Sequence, residues 1–324
     1  MALIDFAENI IFQPDSDHSV LYPRQVELSD GSLLATASAD GGATWSWVSN
    51  MPDQVNGLGM AAQPALAEMP FPVGNFPAGT VLASGNSWGT KARMSIYTLV
   101  KTKITHGNSS AMWRKAVDWI LQVGIHGFGS HSFFCVFYSD QRDTLHGQKL
   151  AHQESTDLKS WSSVIDDVAY LNYTARPGMT VISYIPPLEK WILVHEFPGE
   201  TAGLGQAIRS TIDCLVTHSI FALSMPSSSP YVVWSPVGGV NGTIVVSDAD
   251  HGSIFTNRAN GQPDQWEIHA TPQPPAYSRS LHVFAKHPDH LMILGAAEFG
   301  QVENLPLHLS IVSLTDTLRR PAGN

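Results

Sequence analysis

Glu196 ends an apolar run, Trp191-Ile192-Leu193-Val194-His195, and stands just before a Pro198-Gly199 turn. A carboxyl at the end of a buried strand is desolvated. Desolvation disfavours its charged form, and the raised pKa suits it to proton donation as a general acid. The competing reading is a strand-end Glu hydrogen-bonded to its turn. Arg24, Arg176 and Arg279 each stand where a β-prone run begins, offering planar guanidinium donors to hydroxyls or carboxylates. Structural salt bridges are the alternative for each. Asp140 and Arg142 share one strand face, so they either meet a ligand or pair with each other.

Other chemistries are poorly supplied. The 14 histidines include no His-x-x-x-His pair, and His282, His287 and His290 lie among prolines without a matching acid pair, so no metal is expected. Gly238-Gly239-Val240-Asn241-Gly242 lacks a lysine and a following helix, which makes it a β-turn rather than a phosphate loop. The 2 cysteines, Cys135 and Cys214, cannot build a disulfide framework and read as buried free thiols. With 28 acidic against 18 basic residues the chain carries a net charge of -10, which repels nucleic-acid backbones and anionic membranes. No stretch reaches the ~18 apolar residues of a membrane span, and Met1 to Ser19 lacks the basic-then-apolar layout of a signal peptide. Sequons occur at Asn108, Asn172 and Asn241.

The elements that must carry these groups are strands. Only 14% of the 324 residues are charged, while Gly 26 and Pro 21 signal many tight turns. Short β-rich runs recur between turn residues: Gly31–Thr36, Gly79–Ser84, Met179–Tyr184, Trp191–His195 and Thr243–Ser247. Helical periodicity is scarce. Successive antiparallel meanders at such spacing build an all-β propeller or a large sandwich.

One segment discriminates between the two. Ser38-Ala39-Asp40-Gly41-Gly42-Ala43-Thr44-Trp45 matches the Asp-box pattern Ser-x-Asp-x-Gly-x-Thr-Trp at every fixed position, Ser38, Asp40, Gly42, Thr44 and Trp45. In such a turn the Asp caps backbone amides, the Gly allows a left-handed residue and the Trp plugs the space between strands. Ser155-Thr156-Asp157-Leu158-Lys159-Ser160-Trp161 is a shorter echo without the Gly. A repeat of this kind argues for propeller blades, and its residues are structural.

Further blocks carry a family resemblance. Leu21–Arg24, Glu27–Thr36, Gln63-Pro64 and Ala83-Ser84-Gly85-Asn86-Ser87 are followed by Tyr138-Ser139-Asp140-Gln141-Arg142-Asp143, His146–Leu150, Ala175-Arg176-Pro177-Gly178-Met179, Val194-His195-Glu196-Phe197 and Ala276-Tyr277-Ser278-Arg279-Ser280-Leu281. In this order they resemble glycoside hydrolase family 93, fungal exo-α-1,5-L-arabinanases on a six-bladed sialidase-like propeller.

The resemblance implies one propeller domain over 1–324, a monomer acting without cofactor or metal on the arabinan side chains of pectin, outside the cell. It implies retaining hydrolysis that releases arabinobiose, with two carboxylic residues about 5–5.5 Å apart, of which Glu196 is one. It also assigns Arg24, Asn86, Asp140, Gln141, Arg142, Arg176, Tyr277 and Arg279 to substrate binding, the three arginines converging on the propeller axis.

The family's other carboxylate belongs to a Trp-Glu-Pro-Phe block upstream of Tyr138, yet from Tyr97 to Val136 the only acid is Asp118. Back-translating Gly127–Phe133 and reading from the third base permits Ile-Trp-Glu-Pro-Phe-Leu. The same frame through Leu99–Gly107 permits Ser-Lys-Asp-Lys-Asp/Asn-Tyr-Thr-Trp, close to an Asp box. Residues 99–134 therefore read as a frame or splice error or a decayed gene, and 200–229, with no family block, is a second aberrant segment. One blade is expected to lose its inner strand pattern and its Asp box, exposing neighbouring strand edges. Two other functions stay open: a sialidase-type exo-glycosidase, needing a Tyr/Glu pair such as Tyr277 would join, and a catalytically dead carbohydrate-binding propeller.

Overall fold

In the computed structural model the described residues are 6–14, 23–34, 37–38, 45, 60–72, 76–87, 93–99, 119–128, 131–143, 147–157, 160–168, 178–196, 207–212, 215–217, 230–247, 252–262, 265–277, 279–296 and 306–319. They form six antiparallel sheets of three or four strands, each a meander in which consecutive runs pair across a turn. Among the described residues the only helices are the 3-10 turn Pro186–Leu188 and α1 (Leu314–Arg319).

The first sheet orders β2 (Val26–Glu27), β3 (Leu33–Leu34) and β4 (Ala37–Ser38), and the second β5 (Met60–Glu68), β6 (Val81–Ser87) and β7 (Arg93–Leu99). The third is β8 (Trp119–Phe128), β9 (His131–Asp143), β10 (Gly147–Ser155) and β11 (Ile165–Val168), and the fourth β12 (Gly178–Ile185), β13 (Lys190–Glu196), β14 (Ala207–Ile212) and β15 (Leu215–Thr217). The fifth is β16 (Tyr231–Ser235), β17 (Thr243–Ser247), β18 (Ser253–Asn257) and β19 (Trp266–Ala270). The sixth joins β20 (Ser280–Val283), β21 (His290–Gly295) and β22 (Leu307–Ser313) to β1 (Phe6–Phe12), so a strand from the start of the chain completes the sheet made by its end.

The segments marked as aberrant supply strands. Trp119–Phe128 pairs with β9 as the first strand of the third sheet, where loss of the inner strand pattern was expected. The physical reason is that ladder hydrogen bonds use only the backbone, and Trp119-Ile120-Leu121-Gln122-Val123 is β-prone whatever block it replaces. Likewise 207–212 and 215–217, within 200–229, form the last two strands of the fourth sheet.

The chain divides into two compact units. One comprises Met1–Glu27, Gly31–Ser46 and Val181–Asn324, the other Leu28–Asp30 with Trp47–Thr180. In the first, sheets stack face to face in chain order. Val181, Ile192 and Val194 of the fourth sheet pack on Val232, Ile244 and Val246 of the fifth. The opposite face of the fifth, through Val245 and Ile254, meets Leu281, Leu291 and Ile293 of the sixth. The sixth turns Met292, Leu294, Leu309 and Ile311 to Leu33 of the first, with Trp45 against the same cluster. Central strands are therefore covered on both sides, and all five residues of β17 are buried, whereas outer β19 buries only His269. Each fully buried aliphatic side chain contributes about 1.5–3 kcal/mol of transfer free energy.

In the second unit Asp157 closes the turn after β10. Its carboxylate accepts from the Ser160 backbone N–H at 2.7 Å and from the Ser155 and Ser160 hydroxyls, each at 3.1 Å. In the first unit Asn257, at the end of β18, does the same work: Oδ1 accepts from the N–H of Ala259 and of Gly261, both at 2.9 Å, and Nδ2 donates to the Gln262 carbonyl at 2.7 Å. Both turns follow the third strand of a sheet, the position that Ser38 occupies in the first. Asp40, Gly42 and Thr44 lie outside the described residues. Gly238–Gly242 is the β-turn expected of it, joining β16 to β17, with Gly242 N–H donating to Gly239 O at 3.1 Å.

Candidate functional site

A meander has two ends. At one, the first strand enters and the second leaves, and each described residue singled out from the sequence for binding or catalysis stands at this end of its own sheet. Arg24 precedes β2, whose Val26 pairs with Leu34 at the end of β3. Asn86 lies near the end of β6, opposite Ala61 of β5. Asp140, Gln141 and Arg142 lie toward the end of β9, just beyond the pairing of Ser139 with Trp119 at the start of β8. Glu196 is the last residue of β13, which the Pro186–Leu188 turn joins to β12. Arg279 immediately precedes β20, and Tyr277 is two residues further back. Arg176 lies outside the described residues. The Asp157 and Asn257 turns are at the opposite end.

The best-defined part of this end belongs to the first unit. Arg279 is completely buried at 0% exposure. Its Nη1 donates to the Thr271 hydroxyl at 3.1 Å and its Nη2 to the Ser253 carbonyl, while its own carbonyl accepts from the Ser247 hydroxyl at 3.4 Å. Arg279 thus ties three strand ends of the fifth sheet to the start of the sixth, two through its guanidinium and one through its carbonyl. Gly295 leaves it room, since a Cβ there would lie 3.2 Å from Arg279 Cγ.

The next residue, Ser280, donates its hydroxyl to Gln25 Oε1, which joins the start of β20 to that of β2 and brings the Arg24 and Arg279 segments side by side. Further along the same seam Glu27 accepts from the Ala285 N–H at 2.7 Å and pairs with His282 Nε2 at 3.0 Å. Burial works to raise the Glu27 pKa, but the bond to His282, the Ala285 N–H and the charges of His282 and Lys286 outweigh it and hold the carboxyl below its ordinary value. His282 is therefore engaged in a sheet-to-sheet pair. His287 and His290 meet edge to face at 6.1 Å, and His290 pairs with Asp289.

Arg24 is 8% exposed, and its Nη1 donates to the Pro23 carbonyl at 2.8 Å. Its Cζ stands 5.1 Å from the centroid of the Tyr231 ring, a cation–π contact. Tyr231 opens β16 and pairs with Ser247 at the end of β17, so it occupies in the fifth sheet the position that the other singled-out residues hold in theirs. Burial pushes its phenol pKa up, against the pull of the Arg24 charge. Sequence reasoning passed over Tyr231. The available signal was positional, an aromatic residue after Pro230 opening a first strand, as Arg24 follows Pro23.

No protein-family model and no curated protein matches the chain, whereas solved structures match it nearly end to end. The family 93 α-L-arabinofuranosidase of Fusarium graminearum in complex with arabinobiose is 35% identical, with a TM-score of 0.85 over 97% of this chain and 99% of that one. The α-L-arabinanase of Penicillium chrysogenum complexed with arabinobiose is 30% identical, with a TM-score of 0.83 and the same coverage. The NanB sialidase of Streptococcus pneumoniae, at 10% identity and a TM-score of 0.60 over 96% of this chain and 71% of that one, shares the fold. The six meandering sheets and this likeness are those of a sialidase-like six-bladed β-propeller, and at 30–35% identity over the full length the protein belongs to glycoside hydrolase family 93.

Proposed function

We propose that the chain is a secreted propeller, one domain over 1–324, that binds the ends of α-1,5-L-arabinan, and that its catalytic form hydrolyses them with retention to release arabinobiose. The observation that carries this is the 35% identity, over almost the whole of both chains, to a family 93 enzyme bound to arabinobiose. Support from the chain itself is that Arg24, Asn86, Asp140, Gln141, Arg142, Glu196, Tyr277 and Arg279 each stand at the equivalent end of their own sheet.

In this reading Glu196 donates a proton to the leaving glycosidic oxygen while a second carboxylate attacks the anomeric carbon. Water then cleaves the glycosyl ester, with Glu196 acting as base. Arg24, Arg142, Arg176 and Asn86 donate hydrogen bonds to furanose hydroxyls and Asp140 accepts them, while Arg279, buried on Thr271 and Ser253, braces the fifth sheet against the sixth. Ser38, Asp40, Gly42, Thr44 and Trp45 match the Asp-box pattern, which assigns them a structural role and no contact with the sugar; the capped turns at Asp157 and Asn257 support such a repeat.

A second reading is sugar binding without turnover. It is favoured by the absence of any acid but Asp118 from Tyr97 to Val136, where the family's second carboxylate belongs.

Calorimetric titration with arabinobiose and product analysis on linear arabinan test both. The expected result is that the chain binds arabinobiose. Replacing Gly127–Phe133 with the Ile-Trp-Glu-Pro-Phe-Leu segment gives arabinobiose release with retained configuration, and in that protein Glu196→Gln slows turnover by about 10²–10⁴-fold. Absence of both binding and hydrolysis overturns the proposal. Turnover by the unaltered chain overturns the binding-only reading.

A further inference from the structure

Arg24 belongs to the first sheet and Tyr231 to the fifth, and between them in the packing order stands the sixth. Side chains from sheets that are not neighbours meet in a propeller only at its axis, where the first strands converge. The 5.1 Å contact between Arg24 Cζ and the Tyr231 ring is such a meeting. Both residues stand at the entry of a first strand, the end at which each singled-out residue stands in its own sheet.

We propose that Tyr231 is a positioning residue of the sugar site, its ring holding the Arg24 guanidinium at the propeller axis so that the donors of that group are presented to a neutral furanose. The proposal rests on the arabinan reading above.

Three observations support it. The ring is anchored, packing against both the cluster between the fourth and fifth sheets and the cluster between the fifth and sixth. Arg24 is buried and its Nη1 is tied to Pro23 O, which leaves the guanidinium little freedom beside the ring. Tyr231 is half-buried beside the cation, and cation–π attraction strengthens as the two groups lose water. A neutral sugar suits this arrangement, because part of the guanidinium charge is already met by the ring and its N–H groups act as hydrogen-bond donors to hydroxyls.

The test uses the full chain labelled with 3-fluorotyrosine. The Tyr231 fluorine resonance is identified by its loss in Tyr231→Phe, and arabinobiose affinity is measured by calorimetry. The pairing predicts that Arg24→Leu moves that resonance in the absence of sugar. Positioning predicts that Tyr231→Leu weakens arabinobiose binding about tenfold, whereas Tyr231→Phe, which keeps the ring, restores affinity to within about threefold of the unaltered chain. A resonance indifferent to Arg24→Leu refutes the pairing whatever the sugar does. Unchanged affinity in a folded Tyr231→Leu refutes the positioning role while leaving the arabinan reading intact. No arabinobiose binding by the unaltered chain, with the resonance still sensitive to Arg24, overturns the arabinan reading and with it the role given to Tyr231.

Discussion

Asn257 is the sharpest place to test how these blades are closed. Its side chain is 1% exposed and makes three hydrogen bonds to backbone groups of one turn, accepting from Ala259 and Gly261 and donating to Gln262. Asn257→Ala deletes all three. At about 1 kcal/mol net for each bond, with a further desolvation penalty for any partner left buried, the loss is about 3 kcal/mol. At an m-value of about 3 kcal/mol/M in urea, this lowers the denaturation midpoint by about 1 M. Asn257→Asp is the informative control: a carboxylate still accepts from both N–H groups but faces the Gln262 carbonyl, so it costs about 1–2 kcal/mol. Asp157→Ala, in a turn whose Ser160 is exposed, costs about 1 kcal/mol because water replaces the lost partners. If Asn257→Ala costs under about 0.5 kcal/mol, or if the Ala and Asp variants are equal, the capping argument is wrong.

Gly242 has φ +80 and a Cβ there would lie 2.2 Å from the Ser235 carbonyl oxygen. Gly242→Ala therefore destabilises by about 2–4 kcal/mol, measured by urea denaturation, since both the backbone and the neighbour must move. Glu27 titrates below its ordinary 4.5 in the folded chain, so its contribution is complete above that value and is lost as pH falls through the lowered folded value. Glu27→Gln should flatten the acid limb of the stability curve, and an unchanged limb would exclude the His282 pair as its origin. Burial, opposed by Glu267 and helped by Arg258, holds His269 below 6.5. The folded chain thus resists protonation, so stability falls as pH drops from 6.5 through the folded value. His269→Gln should remove that slope.

Much of the architecture was legible in the order of residues. Strand runs such as Thr243–Ser247, with Ile244, Val245 and Val246 apolar in succession instead of alternating, reflect a central strand covered on both faces, and the turn residues between them mark where a meander reverses. The Ser155–Trp161 echo was legible because an Asp two residues after a Ser can reach the amides of its own turn. Its partner at Asn257 was not, since an amide in place of the carboxylate and a longer stretch before Trp266 hide the same hydrogen bonds under a different spelling. Trp119–Phe128 shows the converse: a segment that departs from the family blocks still pairs as a strand, because the ladder is made by the backbone.

The sequence by itself determined the all-β class, the family and the residues placed at strand entries and exits, since these depend on local periodicity, turn chemistry and short blocks. Only the tertiary structure decided which of those residues meet. Arg279 is enclosed by Ser253 and Thr271, Gln25 holds Ser280 and Arg24 lies over Tyr231, across separations of 8 to 255 residues. Contacts at such distances are set by how sheets stack, and the period of a strand, two residues, carries no information about its neighbours in the next blade.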